Sequence, residues 1–259
     1  MDIVFELLFH LVFGVPILRT VVFTIAPALL LLHYVRRKDS VEKESPKLIW
    51  SLVGLGALST ALAYILESVG GAGLSWIVDS GSGAFNFLYY FVVVGLAEEL
   101  SKYFMLSKRT WKNPEFDCLF DGLVYAVAVS AGFALLENVL YLFRYGSSVV
   151  FIRAIVSIPA HICFAIFMGT WYSAAKKYEK WGIKQQVRTC KVLAIAVPAI
   201  AHGFFDIITD FLDTGAGMLI FGIYVIAMFI VSWRMMKKMA AKDARYNEIQ
   251  RDYGSGRLG

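Results

Sequence analysis

Three residues of one apolar run, Glu98, Glu99 and Lys102 in Ala97-Glu98-Glu99-Leu100-Ser101-Lys102, are the first that could do chemistry. On a helix the four-residue step places Glu98 and Lys102 on one face, with Glu99 on its shoulder. The same step recurs as Phe133 and Glu137 and as His202 and Asp206, and His161 follows Pro159 in a further apolar run. A charged side chain at the centre of a membrane helix costs about 2.5–3.5 kcal/mol on insertion scales, so each of these residues needs a reason. Paired carboxylates joined by imidazoles can deprotonate and orient a water, hold a metal, or relay protons. One glutamate of the pair suits a general base, with Lys102 tuning the balance between them. His202, held by Asp206, could stabilise the oxyanion of a tetrahedral intermediate or ligate a metal.

The elements that must position these residues are membrane helices. The chain has 259 residues, 58% hydrophobic and 17% charged, with a mean hydropathy of +0.63, which is too apolar for a water-facing surface. Spans need about 20 apolar residues each, so the expected fold is an all-α polytopic bundle of seven to eight helices with no room for a soluble catalytic domain. The runs fall at about 17–35, 48–67, 84–107, 119–143, 152–175, 192–212 and 218–233. Residues 1–18 form an N-terminal hydrophobic segment carrying Glu6, His10 and Pro16, read as an interfacial helix or an eighth span. Residues 19–238 form the transmembrane domain, and 239–259 a polar tail that starts helical and ends in flexible Gly254-Ser255-Gly256.

Charge fixes the expected orientation. The net charge of +5 is concentrated at Arg36-Arg37-Lys38, Lys108-Arg109, Lys176-Lys177 through Lys191, and Arg234 to Lys238, at ends of apolar runs rather than along one face. That is the positive-inside pattern of a multi-pass cell-membrane protein with its C-terminus in the cytoplasm, and it speaks against nucleic-acid binding. Cys118, Cys163 and Cys190 show no metal-type spacing and suggest no structural disulfide.

Depth brings the ionisable groups together. At about 1.5 Å per residue, Glu98 lies roughly 15 Å from Lys108, His202 roughly 16 Å from Lys191, and Asp206 and His161 roughly 22 Å from their basic anchors. Glu137 lies roughly 20 Å from the same side of a core about 30 Å thick. One shared polar site is the economical explanation. Bland readings compete with it residue by residue: an ion pair for Glu98 and Lys102, a satisfied hydrogen bond for His202 and Asp206, helix glue for Glu137 and Asn138, and a packed histidine for His161. Asp117, Asp121, Asp210, Asp213 and Glu67 sit near run ends, where water or helix termini suffice to explain them.

Known intramembrane-protease patterns can be checked directly. There is no His-Glu-x-x-His and no Gly-x-Gly-Asp, and Gly81-Ser82-Gly83 lies in a loop without a partnered histidine. The run Gly95-Leu96-Ala97-Glu98-Glu99-Leu100-Ser101-Lys102 resembles the Glu-Glu-x-x-Lys motif of the PrsW membrane proteases. Asp121-Gly122-Leu123-Val124-Tyr125 with Gly132-Phe133-Ala134-Leu135-Leu136-Glu137-Asn138, then Pro159-Ala160-His161 with Met168-Gly169, then Ala201-His202-Gly203-Phe204-Phe205-Asp206, are similar to its later blocks, in order over about 20–235.

The resemblance implies a site-1 type intramembrane endopeptidase that cleaves a single-span anti-sigma factor in an envelope-stress response. In the wider family of type II CAAX prenyl endopeptidases and bacteriocin-immunity proteins, Glu137 stands where relatives usually carry histidine, and Asp206 where they often carry asparagine. Two classes of function follow. One is a glutamate-dependent protease, metal-free or assisted by a divalent metal such as zinc, with Glu98, Glu99, Lys102, His202 and Asp206 catalytic and Glu137, His161 and His202 as metal ligands. The other is a proton-coupled transporter or a non-hydrolytic immunity-type binding protein built on the same cluster.

Overall fold

The computed structural model describes residues 16–39, 41 and 43–254, with side chains described for 20–39, 41 and 43–243. Glu6, His10 and nearly all of the segment 1–18 lie outside the described residues, as do 255–259. The described chain is all helical: α1 (Pro16–Arg36), α2 (Pro46–Ser75), α3 (Gly83–Thr110), α4 (Asp121–Tyr145), α5 (Ser147–Ile155), α6 (Ser157–Lys180), α7 (Lys184–Thr209) and α8 (Gly215–Gly254). Six helical stretches are long and apolar enough to cross a membrane: α2, α3, α4, α5 with α6, α7, and α8 as far as Asp243. A seventh, Thr20–Arg36 of α1, is apolar but shorter. The predicted run at 152–175 begins part-way along α5, and the helix is interrupted at Val156, where φ is −114°. The run at 192–212 corresponds to a helix that starts at Lys184, because its first two turns are polar and carry no hydropathy signal.

Local chemistry starts the helices where they start. Ser45 caps α2 by accepting from the Leu48 N–H, and Pro46 takes the first helical position, where no N–H is needed. Ser82 caps α3 in the same way through Phe85. Within α3, Tyr89–Val94 form a π-helical turn before the α-helical Gly95–Thr110. Such a turn accommodates an extra residue without breaking the helix and is frequent beside functional sites.

Five helices close a ring in the order α2, α4, α6, α7, α3 and back to α2, with α1 packed on α4 and α5, and α8 against α6 and α7. The most enclosed is α4, whose residues 121–134 are all buried. Two crossings rely on glycine. A Cβ on Gly56 would collide with the backbone of Val129, and one on Gly132 with the backbone of Val53, so α2 and α4 approach to backbone contact at two levels. A Cβ on Gly95 would meet Ala199 O at 2.8 Å, and one on Gly203 would meet Phe91 Cα at 2.9 Å, which brings α3 against α7. Close backbone approach through small residues is how membrane helices gain packing where lipid offers no hydrophobic drive.

Candidate active site

The ring gathers the expected residues at one place. Glu98, Glu99 and Lys102 lie on the buried face of α3, at 6%, 0% and 1% exposure. The Lys102 ammonium donates to Glu98 Oε2 at 3.1 Å and to Glu99 Oε1 at 2.8 Å, so it bridges both carboxylates rather than pairing with one. It also lies 3.2 Å from His161 Nδ1 of α6 and sits 3.9 Å from the centre of the Phe133 ring of α4. With Nδ1 facing an ammonium, His161 presents it as the acceptor, and Nε2–H donates to Glu137 Oε2 at 2.9 Å. From α7, His202 Nδ1 lies 3.1 Å from Glu99 Oε1 and 3.7 Å from Glu98 Oε2, while its Nε2 faces Asp206 Oδ2 at 3.5 Å. The two imidazoles meet edge to face with centroids 5.3 Å apart, and Phe164 stacks on His202 at 4.8 Å.

Four helices of the ring therefore contribute to one network, and the ion pair considered for Glu98 and Lys102 is only part of it. Glu99, which that pair left unexplained, touches both Lys102 and His202. Its second oxygen, Oε2, is sealed from solvent and has no hydrogen-bond partner among the described residues.

One atom each of Glu98, Glu99, His161 and His202 lies within 4.8 Å of the others, and all four residues are buried. Two carboxylates and two imidazoles are a donor set that suits zinc and related divalent ions. The free oxygen of Glu99 adds an available ligand atom. The residues therefore fit a metal, provided the Lys102 ammonium, which is bonded to three of the four, moves aside. Glu137, expected among the ligands, lies outside this set and instead holds the far nitrogen of His161.

Arg153 of α5 was not singled out in the sequence. Its Nη2 lies 2.6 Å from Glu137 Oε2, and its guanidinium covers the Tyr141 ring at 3.7 Å. A line of contacts thus runs from Arg153 through Glu137 and His161 to Lys102. Glu67, given a run-end explanation above, lines the same cavity as the cluster, whereas Asp210 and Asp213 are exposed as expected. Asp121, read from sequence as a helix-start charge, is buried, and its Oδ2 accepts from the N–H groups of Asp117 and Cys118 in the preceding turn at 3.0 and 2.7 Å.

The cavity measures about 920 Å³. Its floor includes Glu98, His161 and His202, and its walls reach the exposed Tyr64, Arg144 and Tyr145 at the end of the bundle opposite Lys108 and Lys176. It is large enough for an extended peptide segment of a few residues.

Fold and site together define a multi-pass membrane protein with an acid, imidazole and ammonium centre sunk inside a helix ring, an arrangement suited to hydrolysis within the membrane. The match to known proteins makes this specific: residues 44–234 fit the model of the PrsW family intramembrane metalloprotease, and the chain belongs to that family. It is 32% identical over 188 residues to Protease PrsW of Oceanobacillus iheyensis, covering 71% of this chain and 80% of the relative. Against Protease PrsW of Bacillus subtilis the identity is 29% over 235 residues, covering 87% and 96%. Against that of Clostridioides difficile it is 30% over 219 residues, covering 83% and 88%. No solved structure matches the chain. The protein is an intramembrane protease, acting on a protein substrate in a lipid environment.

Proposed function

We propose that the chain is a glutamate-dependent endopeptidase that cleaves a single-span membrane protein of the anti-sigma-factor type on the outer side of the cell membrane. The observation that carries this reading is the Glu98 and Glu99 pair gathered around one ammonium, with Glu98 at the floor of a cavity whose walls reach the end opposite the basic loops. With those loops and the C-terminus in the cytoplasm, water and substrate reach the carboxylates from outside.

In this mechanism Glu98, which lines the cavity, takes the proton of a water aimed at the scissile carbonyl. Glu99 stays ionised between Lys102 and His202 and keeps the imidazole turned toward the reacting centre. With Nδ1 on Glu99, His202 has Nε2–H to donate to the oxyanion as it forms, drawn from its loose 3.5 Å approach to Asp206, and Lys102 supplies further positive charge. Glu137 and Arg153 hold His161 in the required tautomer and orientation. With Lys102 displaced, Glu98, Glu99, His161 and His202 would instead hold a divalent metal, and bound there it would replace these roles by polarising the carbonyl and acidifying a water.

The test is cleavage of a single-span anti-sigma-type substrate by the purified protein in detergent, with metal content measured by mass spectrometry before and after chelation. Cleavage lost on chelation and restored by zinc assigns the metal role, and cleavage that survives complete metal removal assigns a metal-free glutamate mechanism. Absence of cleavage of any single-span substrate by folded protein would sink the proposal.

A further inference from the structure

Three carboxylates from three parts of the chain meet at the basic end of the bundle, apart from the intramembrane cluster. Asp39 lies in the turn after α1, Glu44 just before the cap of α2, and Asp121 opens α4; one oxygen of each lies within 4.8 Å of the others. All three are buried, at 4%, 6% and 2% exposure.

Neighbouring bonds build this arrangement. Ser45 donates from N and Oγ to the Glu115 carboxylate at 2.7 and 3.1 Å, which ties the α1–α2 loop to the α3–α4 loop. Arg36 Nη2 donates to the backbone oxygen of Glu44 at 3.2 Å, not to its carboxylate. Asp121 fixes the turn before α4 through one oxygen, as described above. Every one of these bonds positions backbone or a neighbour and leaves the Glu44 carboxylate alone. Both its oxygens are sealed from solvent, and neither has a hydrogen-bond partner among the described residues. A buried carboxylate facing two others without a donor is unfavourable unless something positive completes it. Burial, partly offset by the nearness of its own backbone N–H and by Arg36 and reinforced by Asp39, pushes the Glu44 carboxyl up to about 8.

We propose that Asp39, Glu44 and Asp121 bind a hard divalent cation, Mg²⁺ or Ca²⁺, that joins the ends of α1, α2 and α4. The three donors are all oxygens, which suits these ions, whereas the intramembrane set with its two imidazoles suits zinc. The two sites are therefore separable by metal chemistry. Because α4 carries Phe133 and Glu137, a cation at its first residue would set the seating of a helix that serves the active site.

Isothermal titration calorimetry of the full-length protein in detergent, with MgCl₂ and CaCl₂ in separate runs, tests the proposal, with the thermal midpoint followed in parallel. The expected result is one saturable event with at least one salt and a raised midpoint. Glu44→Gln keeps the shape and breaks no hydrogen bond of the carboxylate, so it should fold and weaken binding by roughly tenfold or more. Glu99→Gln should leave this binding unchanged. No saturable heat with either salt, equal binding by wild type and Glu44→Gln, or loss of binding in Glu99→Gln instead, each overturns the proposal. A group satisfied merely by a proton gives another pattern, which also overturns it: above pH of about 8, Glu44→Gln melts higher than wild type and neither salt moves the midpoint of either.

Discussion

Glutamine at Glu98 or at Glu99 keeps the side chain's shape and removes its charge, so it separates chemistry from architecture. Losing a general base costs about 10²–10⁴-fold in rate, so Glu98→Gln should cleave that much more slowly; Glu99→Gln, which loses the charge between Lys102 and His202, should also cleave more slowly, and both should still purify as folded protein. Wild-type rates in both would remove the pair from the mechanism. Lys102→Met is a different kind of change, because it leaves two buried carboxylates without the ammonium they share. Removing one partner of a buried ion pair costs about 3–5 kcal/mol, so this variant should melt below either glutamine variant, and the opposite ranking would show that Lys102 is not the neutralising charge. Arg153→Met tests the outer end of the contact line: activity should fall by about 10–100-fold, with partial recovery in Arg153→Lys, as expected for a residue acting through Glu137 and His161. Equal activity in all three Arg153 forms would remove it from the mechanism. Glu98, Glu99, His161 and His202 were legible in the sequence because an ionisable group inside an apolar run is costly enough to stand out. Arg153 was not, since it lies near a run end, where an arginine is ordinary, and only the fold shows it turned inward onto Glu137.

At the scale of the element, the backbone contact between α2 and α4 sets how closely the ring can close. Gly132→Val would force its side chain into the Val53 backbone, one residue from Phe133 and five from Glu137. Overpacking of this kind costs about 1–3 kcal/mol or more, and the variant should melt lower and lose cleavage. Gly54→Val is the control, because its Cβ would meet nothing within 4 Å. Equal melting of the two variants would show that the crossing tolerates separation. The helices themselves were readable from hydropathy to within a few residues at most ends. Three features were not: the interruption at Val156, which falls inside a largely apolar stretch, the continuation of α2 through Gly70–Gly73 to Ser75, and the polar first turns of α7, which carry no hydrophobic signal. The glycines stood in the motif blocks, but nothing in their spacing says which helix each one faces.

The whole molecule has an expected sidedness, and cysteine labelling can establish it. In a background with Cys118, Cys163 and Cys190 replaced by serine, Ser75→Cys and Ser147→Cys should react with an impermeant maleimide in intact cells. Lys112→Cys and Lys184→Cys should react only after permeabilisation. All four positions are exposed, so silence cannot be blamed on burial. The reverse pattern would turn the cavity toward the cytoplasm and remove the outer-side cleavage site. The expectation of sidedness rests on lysines and arginines gathering at alternate run ends, while the order of helices around the ring was not legible, since lipid-facing and neighbour-facing apolar residues look alike in a sequence. The cavity of about 920 Å³ has one more consequence, which concerns solvation. It has room for a cluster of waters, a small polar-lined compartment at the depth of the cluster of acids and imidazoles. A substrate helix entering it brings carbonyls already committed to N–H groups four residues along, and attack requires the scissile one to be released. These waters can take over the freed donors and acceptors as the helix unravels, so the cost of local unwinding should govern turnover. Substrates carrying glycine near the cleaved bond should then be cut faster than the same sequences with leucine, and indifference to that exchange would mean that unwinding is not the step the compartment assists.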